Sequence, residues 1–125
     1  MMKVDLSSLM DAVASTDYDN TYCYSMEDGS IVSANDADDM KMYIPLPDAY
    51  EIDENQIMKE FIYELPEGTL QDTIYRSMKG RGMFGSFREA VIAYDMENSW
   101  FAFRNEAYER IALKWCEKNN IQPLR

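Results

Sequence analysis

Residues 80–85 read Gly-Arg-Gly-Met-Phe-Gly, the G-x-G-x-x-G spacing of a dinucleotide-binding loop. That chemistry needs a strand running into the glycines and a helix running out, so that the backbone can approach a pyrophosphate. Here Leu70, Ile74, Ser77 and Met78 lead in, and they share one helical face. The match therefore reads as a glycine-rich elbow between two helices. Arg76, Lys79, Arg81 and Arg88 crowd this elbow, with Glu89 close by. Gly80 stands where a helix takes a left-handed C′ residue, and Ser86 where the next helix takes an N-cap. The unpaired N–H groups of that second helix would favour an anion. Two readings follow. Arg76, Lys79, Arg81 and Arg88 could hold a phosphate or carboxylate. Alternatively the glycines make a tight reversal, Phe84 and Phe87 plug the core, and the arginines pair with the acidic first half of the chain.

Other chemistry is sparse. The chain has no histidine, so it lacks the commonest general base and the commonest metal ligand. Cys23 and Cys116 have no histidine partner and form no C-x-x-C pair; they read as free, buried thiols of a reducing compartment. Asp36, Asp38 and Asp39 could meet a hard cation but read as a solvated turn. Asp17-x-Asp19-x-Thr21 begins like a calcium loop, yet Tyr22 stands where its glycine belongs. No metal, cofactor or catalytic set is expected, and a carboxylate enzyme using Glu106 or Glu109 is the residual catalytic reading. Nine tyrosines are unusual in 125 residues. Tyr18, Tyr22 and Tyr24 alternate, so a strand would place them on one face. Tyrosine offers contact area with a hydroxyl handle, which makes these three candidates for a partner-binding surface. The competing reading is a half-buried sheet face under a helix.

The elements that position these residues can be read from periodicity. Asp5 caps a helix over about 6–15, with Leu6, Leu9, Met10 and Val13 on its apolar face. Residues around Tyr22–Tyr24 suit a strand, Glu27-Asp28-Gly29 a turn, and Ser30–Ser33 the returning strand. Met42-Tyr43-Ile44 forms a third strand, stopped by Pro45-Leu46-Pro47 because proline cannot donate to a ladder. The remainder is helical. Asp53 with Gln56 resembles a capping box, Thr69 caps the next helix, Ser86 with Glu89 forms another box, and Ser99 opens the last helix. The last stripe is Trp100, Phe103, Ala107, Ile111 and Trp115, and it ends at Asn119-Asn120. Arg104 falls one step off that stripe and reads as an internal ion pair or a ring stack. The expected fold is α+β: an N-terminal helix and small antiparallel sheet, then about four packed helices. It reads as a single domain over 1–125, with the sheet part in 1–50 and the helical part in 51–125.

Composition narrows the class. Apolar residues make up 46% and charged residues 28%, enough for a core and too ordinary for wholesale disorder. No run of about 18 apolar residues occurs, so no membrane span is expected, and the start lacks the apolar stretch of a signal peptide. The net charge is −11. Residues 1–67 hold 16 acids against 3 bases, whereas residues 68–125 hold 7 against 9. A field this negative repels nucleic acid at long range, so any such contact would be local to the basic elbow.

Several blocks stand in a fixed order: Asp28-Gly29-x-Ile31, Leu46-Pro47-Asp48, Leu65-Pro66-x-Gly68, Gly80-Arg81-Gly82-x-Phe84-x-x-Phe87, Trp100-x-x-Phe103-Arg104 and Trp115. Together they resemble a bacterial family catalogued only as an uncharacterised protein family (the UPF series). The Gly-Arg-Gly-x-Phe and Trp-x-x-Phe-Arg blocks are the specific parts, and the resemblance covers nearly the whole chain. It implies a small bacterial cytoplasmic protein and brings no catalytic residues with it. In that family basic residues often follow the Phe of the first block; Gly85 and Ser86 stand here instead, which weakens the case for a basic surface. The reading at this point is a non-catalytic, cytoplasmic protein-binding or adaptor domain. The alternative is nucleic-acid or phosphorylated-ligand binding through the elbow.

Overall fold

The computed structural model describes residues 1–78 and 83–125. It confirms an α+β fold. In chain order the elements are β1 (Lys3–Asp5), α1 (Leu6–Ser15), β2 (Tyr22–Ser25), β3 (Ile31–Ser33), β4 (Tyr43–Pro45), α2 (Ala49–Ile52), α3 (Glu54–Glu64), α4 (Thr69–Ser77), α5 (Met83–Ala93), α6 (Glu97–Lys118) and β5 (Gln122–Leu124). Two compact units are formed. One comprises Met1–Asp53 with Ala107–Arg125, and the other Glu54–Glu106. The C-terminal stretch from Ala107 belongs with the sheet rather than with the other helices, so the unit boundary falls inside α6.

In the first unit, Asp5 caps α1 as expected, its carboxylate accepting the Ser8 backbone N–H at 2.9 Å and the Ser8 hydroxyl at 2.7 Å. The antiparallel sheet has the order β3-β2-β4. Tyr24 sits opposite Ile31 on one side and Ile44 on the other. The β2–β3 turn closes through Gly29 N–H to the Ser25 carbonyl (2.9 Å) and Ser25 N–H to the Ser30 carbonyl (2.8 Å). Asp28 braces it by accepting the Ser30 hydroxyl at 2.7 Å. Pro45 ends β4, on a sheet edge where its missing N–H costs nothing.

Gly29 is required at that turn. Its φ is +77°, and a Cβ there would lie 3.1 Å from the Lys3 carbonyl oxygen, which already accepts the Tyr24 hydroxyl at 2.7 Å. Gly29→Ala is expected to destabilise the first unit by roughly 1–3 kcal/mol, through left-handed strain and displacement of that carbonyl. Urea unfolding of the variant against the parent checks this.

A two-stranded parallel pairing of β1 with β5 was not anticipated. Lys3 faces Gln122, Val4 faces Pro123 and Asp5 faces Leu124. Asn120, with φ 56°, turns the chain out of α6 so that β5 can run beside β1. Beneath these strands lies a core containing Leu6, Leu9, Tyr24, Ala112, Trp115 and Ile121. Trp115 meets Tyr24 edge to face at 5.9 Å and donates its indole N–H to the Pro45 carbonyl at 2.9 Å.

The second unit is helical. Phe61 of α3 is its hub, with Trp100 at 5.3 Å, Phe103 at 5.5 Å and Phe87 at 6.3 Å between ring centres. Ile57, Ile62, Ile74 and Val91 are buried in the same unit. The stripe on α6 is as expected, but it serves two cores: Trp100 is buried in this unit and Trp115 in the other.

Several helix starts differ from expectation. The start expected after Asp53 is present, since α3 begins at Glu54; a further, reciprocal capping box of Asp48 with Glu51 opens the four-residue α2, which ends at Asp53 with φ 52°. Gly68, not Thr69, is the N-cap of α4, and it has no side-chain cap bond. Ser86 lies inside α5, which begins at Met83, so no box forms with Glu89. The last helix begins at Glu97, two residues ahead of Ser99. Asp95, with φ 55°, takes the left-handed position before it.

Candidate functional site

The amphipathic helices of the second unit form a concavity among the described residues. Residues 54 and 58 of α3, 87, 88, 91 and 92 of α5, and 97, 100, 101 and 104 of α6 line a groove of about 440 Å³. The α6 contributors recur at i, i+3, i+4 and i+7, one face of a helix. The floor is apolar and buried: Met58, Phe87, Val91 and Trp100. Phe87 and Trp100 stack edge to face at 4.9 Å. The rim is mixed. Ile92 and Phe101 stay 48% and 51% exposed, although both are large and apolar. Arg88 and Arg104 add two guanidinium groups, and Glu54 and Glu97 two carboxylates.

Arg104 is positioned by aromatic rings. Its guanidinium carbon lies 5.9 Å from the centre of Trp100 and 5.5 Å from that of Phe101, within the range where a ring face attracts a cation. The side chain is half-buried, so its charge is held over the groove rather than swung into bulk solvent. Such a lining can accept an apolar side chain on its floor while its rim meets charged or polar groups beside it. Among the described residues its lining carries no thiol, hydroxyl or amine. The two thiols, Cys23 and Cys116, belong to the other unit and are buried there. Burial pushes both thiols up from their ordinary pKa, which disfavours the reactive thiolate.

The residues singled out from the sequence are distributed as follows. Arg88 is exposed and lines the groove. Arg76 is exposed in the last turn of α4, where a cation complements the helix dipole. Lys79, Arg81, Gly80 and Gly82 lie outside the described residues. The tyrosine face needs correction. β2 begins only at Tyr22, so Tyr18 is in the preceding loop, 73% exposed. Tyr22 is half-buried against the core, and Tyr24 is 1% exposed within it. Tyr24 therefore packs the fold and cannot serve as a surface contact. Tyr18 instead meets Tyr50 of α2, with ring centres 5.1 Å apart at 70°.

Neither Phe101 nor Ile92 stands out in the sequence as a surface contact. Their signal was present: both sit one residue beyond a buried position, Trp100 and Val91, where a polar residue would normally mark the outer edge. Among the described residues no group of three or more carboxylates and thiols gathers as a metal site, and no helix is long and apolar enough to cross a membrane.

Comparison with known proteins places the chain. One curated relative, UPF0158 protein PA5073 of Pseudomonas aeruginosa, is 29% identical over 68 residues, covering 54% of this chain and 44% of the relative. The match thus spans less than half of that protein's length. No solved structure matches the chain significantly. The model of the Uncharacterised protein family (UPF0158) matches residues 1–125, the whole chain, and the protein belongs to that family.

Proposed function

We propose that this chain is a non-catalytic protein-binding module of the bacterial cytoplasm, and that the groove of the second unit receives an apolar side chain from its partner. The observation that carries this reading is the exposure of Ile92 and Phe101 beside a floor of buried aromatic rings. A large apolar residue left in water at a concave rim costs solubility, and partner burial would recover that cost. The absence of histidine from the sequence and the burial of both cysteines support a binding role over covalent or general-base chemistry.

The test uses Phe101→Glu with Ile92→Glu, purified alongside the parent and immobilised to capture partners from the native cytoplasm. Both side chains are half in solvent, so unfolding free energy should change by only about 0.5 kcal/mol. Partner capture is expected to fall at least about tenfold, the loss typical of a hot-spot residue. Undiminished capture by the folded double variant overturns the groove as the contact.

The competing reading is an anionic ligand, nucleic acid or a phosphorylated group, held by Arg76, Lys79, Arg81 and Arg88. Its support is the exposure of Arg76 and Arg88. Added salt separates the two, because phosphate contacts weaken steeply as counterions compete and a groove anchored by apolar side chains does not.

A further inference from the structure

The first unit carries a second surface of different chemistry. Tyr18 and Tyr50 are 73% and 78% exposed, yet their rings are held edge to face at 5.1 Å. Both stand on ordered backbone. The loop bearing Tyr18 is tied by Asp17, whose carboxylate accepts the N–H groups of Asp19 and Asn20, each at 2.8 Å, and the Asn20 side-chain amide at 2.9 Å. Thr16 anchors the same loop to α1 by donating its hydroxyl to the Ala12 carbonyl at 2.8 Å. Tyr50 rides on α2, whose start is closed by the reciprocal Asp48–Glu51 capping box. The pair is therefore ordered before any partner arrives, which lowers the entropy cost of binding.

Along the chain the charge beside both rings is acidic, although Lys118 lines the same hollow as Asp48 and Glu51. Asp17 and Asp19 flank Tyr18, and Asp48, Glu51 and Asp53 lie within three residues of Tyr50. No lysine or arginine occurs between Lys3 and Lys41, or between Lys41 and Lys59. The unit as a whole holds 14 acidic against 6 basic residues. Open ring faces in a negative field attract a cation, and a planar guanidinium can also stack on them.

We infer that Tyr18 and Tyr50 form a receptor for an arginine side chain in a basic segment of a partner protein. The inference is independent of the groove, because it uses other residues in the other unit. The carboxylates draw the basic segment in, and the ring pair selects arginine. Aspartates alone would take lysine equally well.

The experiment measures fluorescence anisotropy of labelled peptides made of repeated Arg-Gly-Gly, Lys-Gly-Gly or Glu-Gly-Gly triplets, titrated with the whole protein at low ionic strength. The arginine peptide is expected to bind, the lysine peptide more weakly and the glutamate peptide not at all. Tyr18→Ala with Tyr50→Ala should weaken the arginine peptide by about tenfold and erase the arginine-over-lysine preference. Tyr18→Phe with Tyr50→Phe should retain both, since a phenyl ring keeps its face. Thermal unfolding verifies that each exposed double variant stays folded. The inference is overturned if the alanine variant binds the arginine peptide as the parent does, because the carboxylates alone would then account for binding. It is equally overturned if no peptide binds. A parent dimer that the alanine variant breaks into monomers would also sink it, by making a second copy the occupant.

Discussion

Trp115→Ala is expected to lower the unfolding free energy of the first unit by about 3–5 kcal/mol, the usual cost of truncating a buried tryptophan. Three contributions are lost together. The indole is 7% exposed, so a large cavity opens among Leu9, Tyr24, Ala112 and Ile121. The edge contact with Tyr24 disappears. The Pro45 carbonyl loses its indole donor, and a carbonyl left unpaired there adds roughly 1–3 kcal/mol within that total. Trp115→Phe separates the terms in part, since it keeps a ring against Tyr24 and loses the indole N–H with the remainder of the bicycle. Its loss should be about 1–2 kcal/mol. The measurement is urea unfolding followed by far-UV circular dichroism. Trp100, the other tryptophan, lies in the second unit, so its fluorescence in the Trp115 variants reports that unit separately. A loss below about 1 kcal/mol for the alanine variant would mean the core closes over the gap, contrary to the packing described.

Phe61→Ala should have a comparable effect on the second unit, again about 3–5 kcal/mol. Phe61 is 4% exposed and stands at the centre of the aromatic cluster. Its contacts with Trp100 and Phe87 come from two other helices, and its contact with Phe103 lies one turn along α6. Removing the ring takes away three contacts at once and loosens the floor on which Trp100 rests. The expected readout is a red shift of Trp100 emission at lower urea than in the parent, measured in a Trp115→Phe background. Because Trp100 lines the groove, partner capture should weaken with it, although Phe61 itself is not among the lining residues. Unchanged Trp100 emission and unfolding would refute the role of Phe61 as hub.

Charge shows where a linear reading misleads. The sequence divides into an acidic first half and a faintly basic second half, but the structural units do not follow that division. The stretch Ala107–Arg125, with four of the twelve bases, joins the acidic N-terminal residues. Both units are therefore net negative, with 14 acids against 6 bases in one and 9 against 6 in the other. Within the C-terminal stretch, Arg125 pairs with Glu109 at 2.8 Å, an exposed pair of the kind that contributes little to stability.

Features governed by neighbours along the chain were legible in the residues alone. Asp5 and the apolar spacing behind it specify α1, Asp28-Gly29 specifies the hairpin turn, Pro45 ends β4, and the tryptophan stripe specifies α6, because each rests on backbone sterics or hydrogen bonds within a few positions. The pairing of Lys3–Asp5 with Gln122–Leu124 was not legible: three-residue strands show no alternation, and their partner lies at the other end of the chain. Tertiary packing alone decided that Tyr24 goes inside while Tyr18 meets Tyr50, and that Ile92 and Phe101 stay outside. Whether an apolar side chain is buried depends on which surface arrives opposite it, and that surface comes from residues distant in sequence.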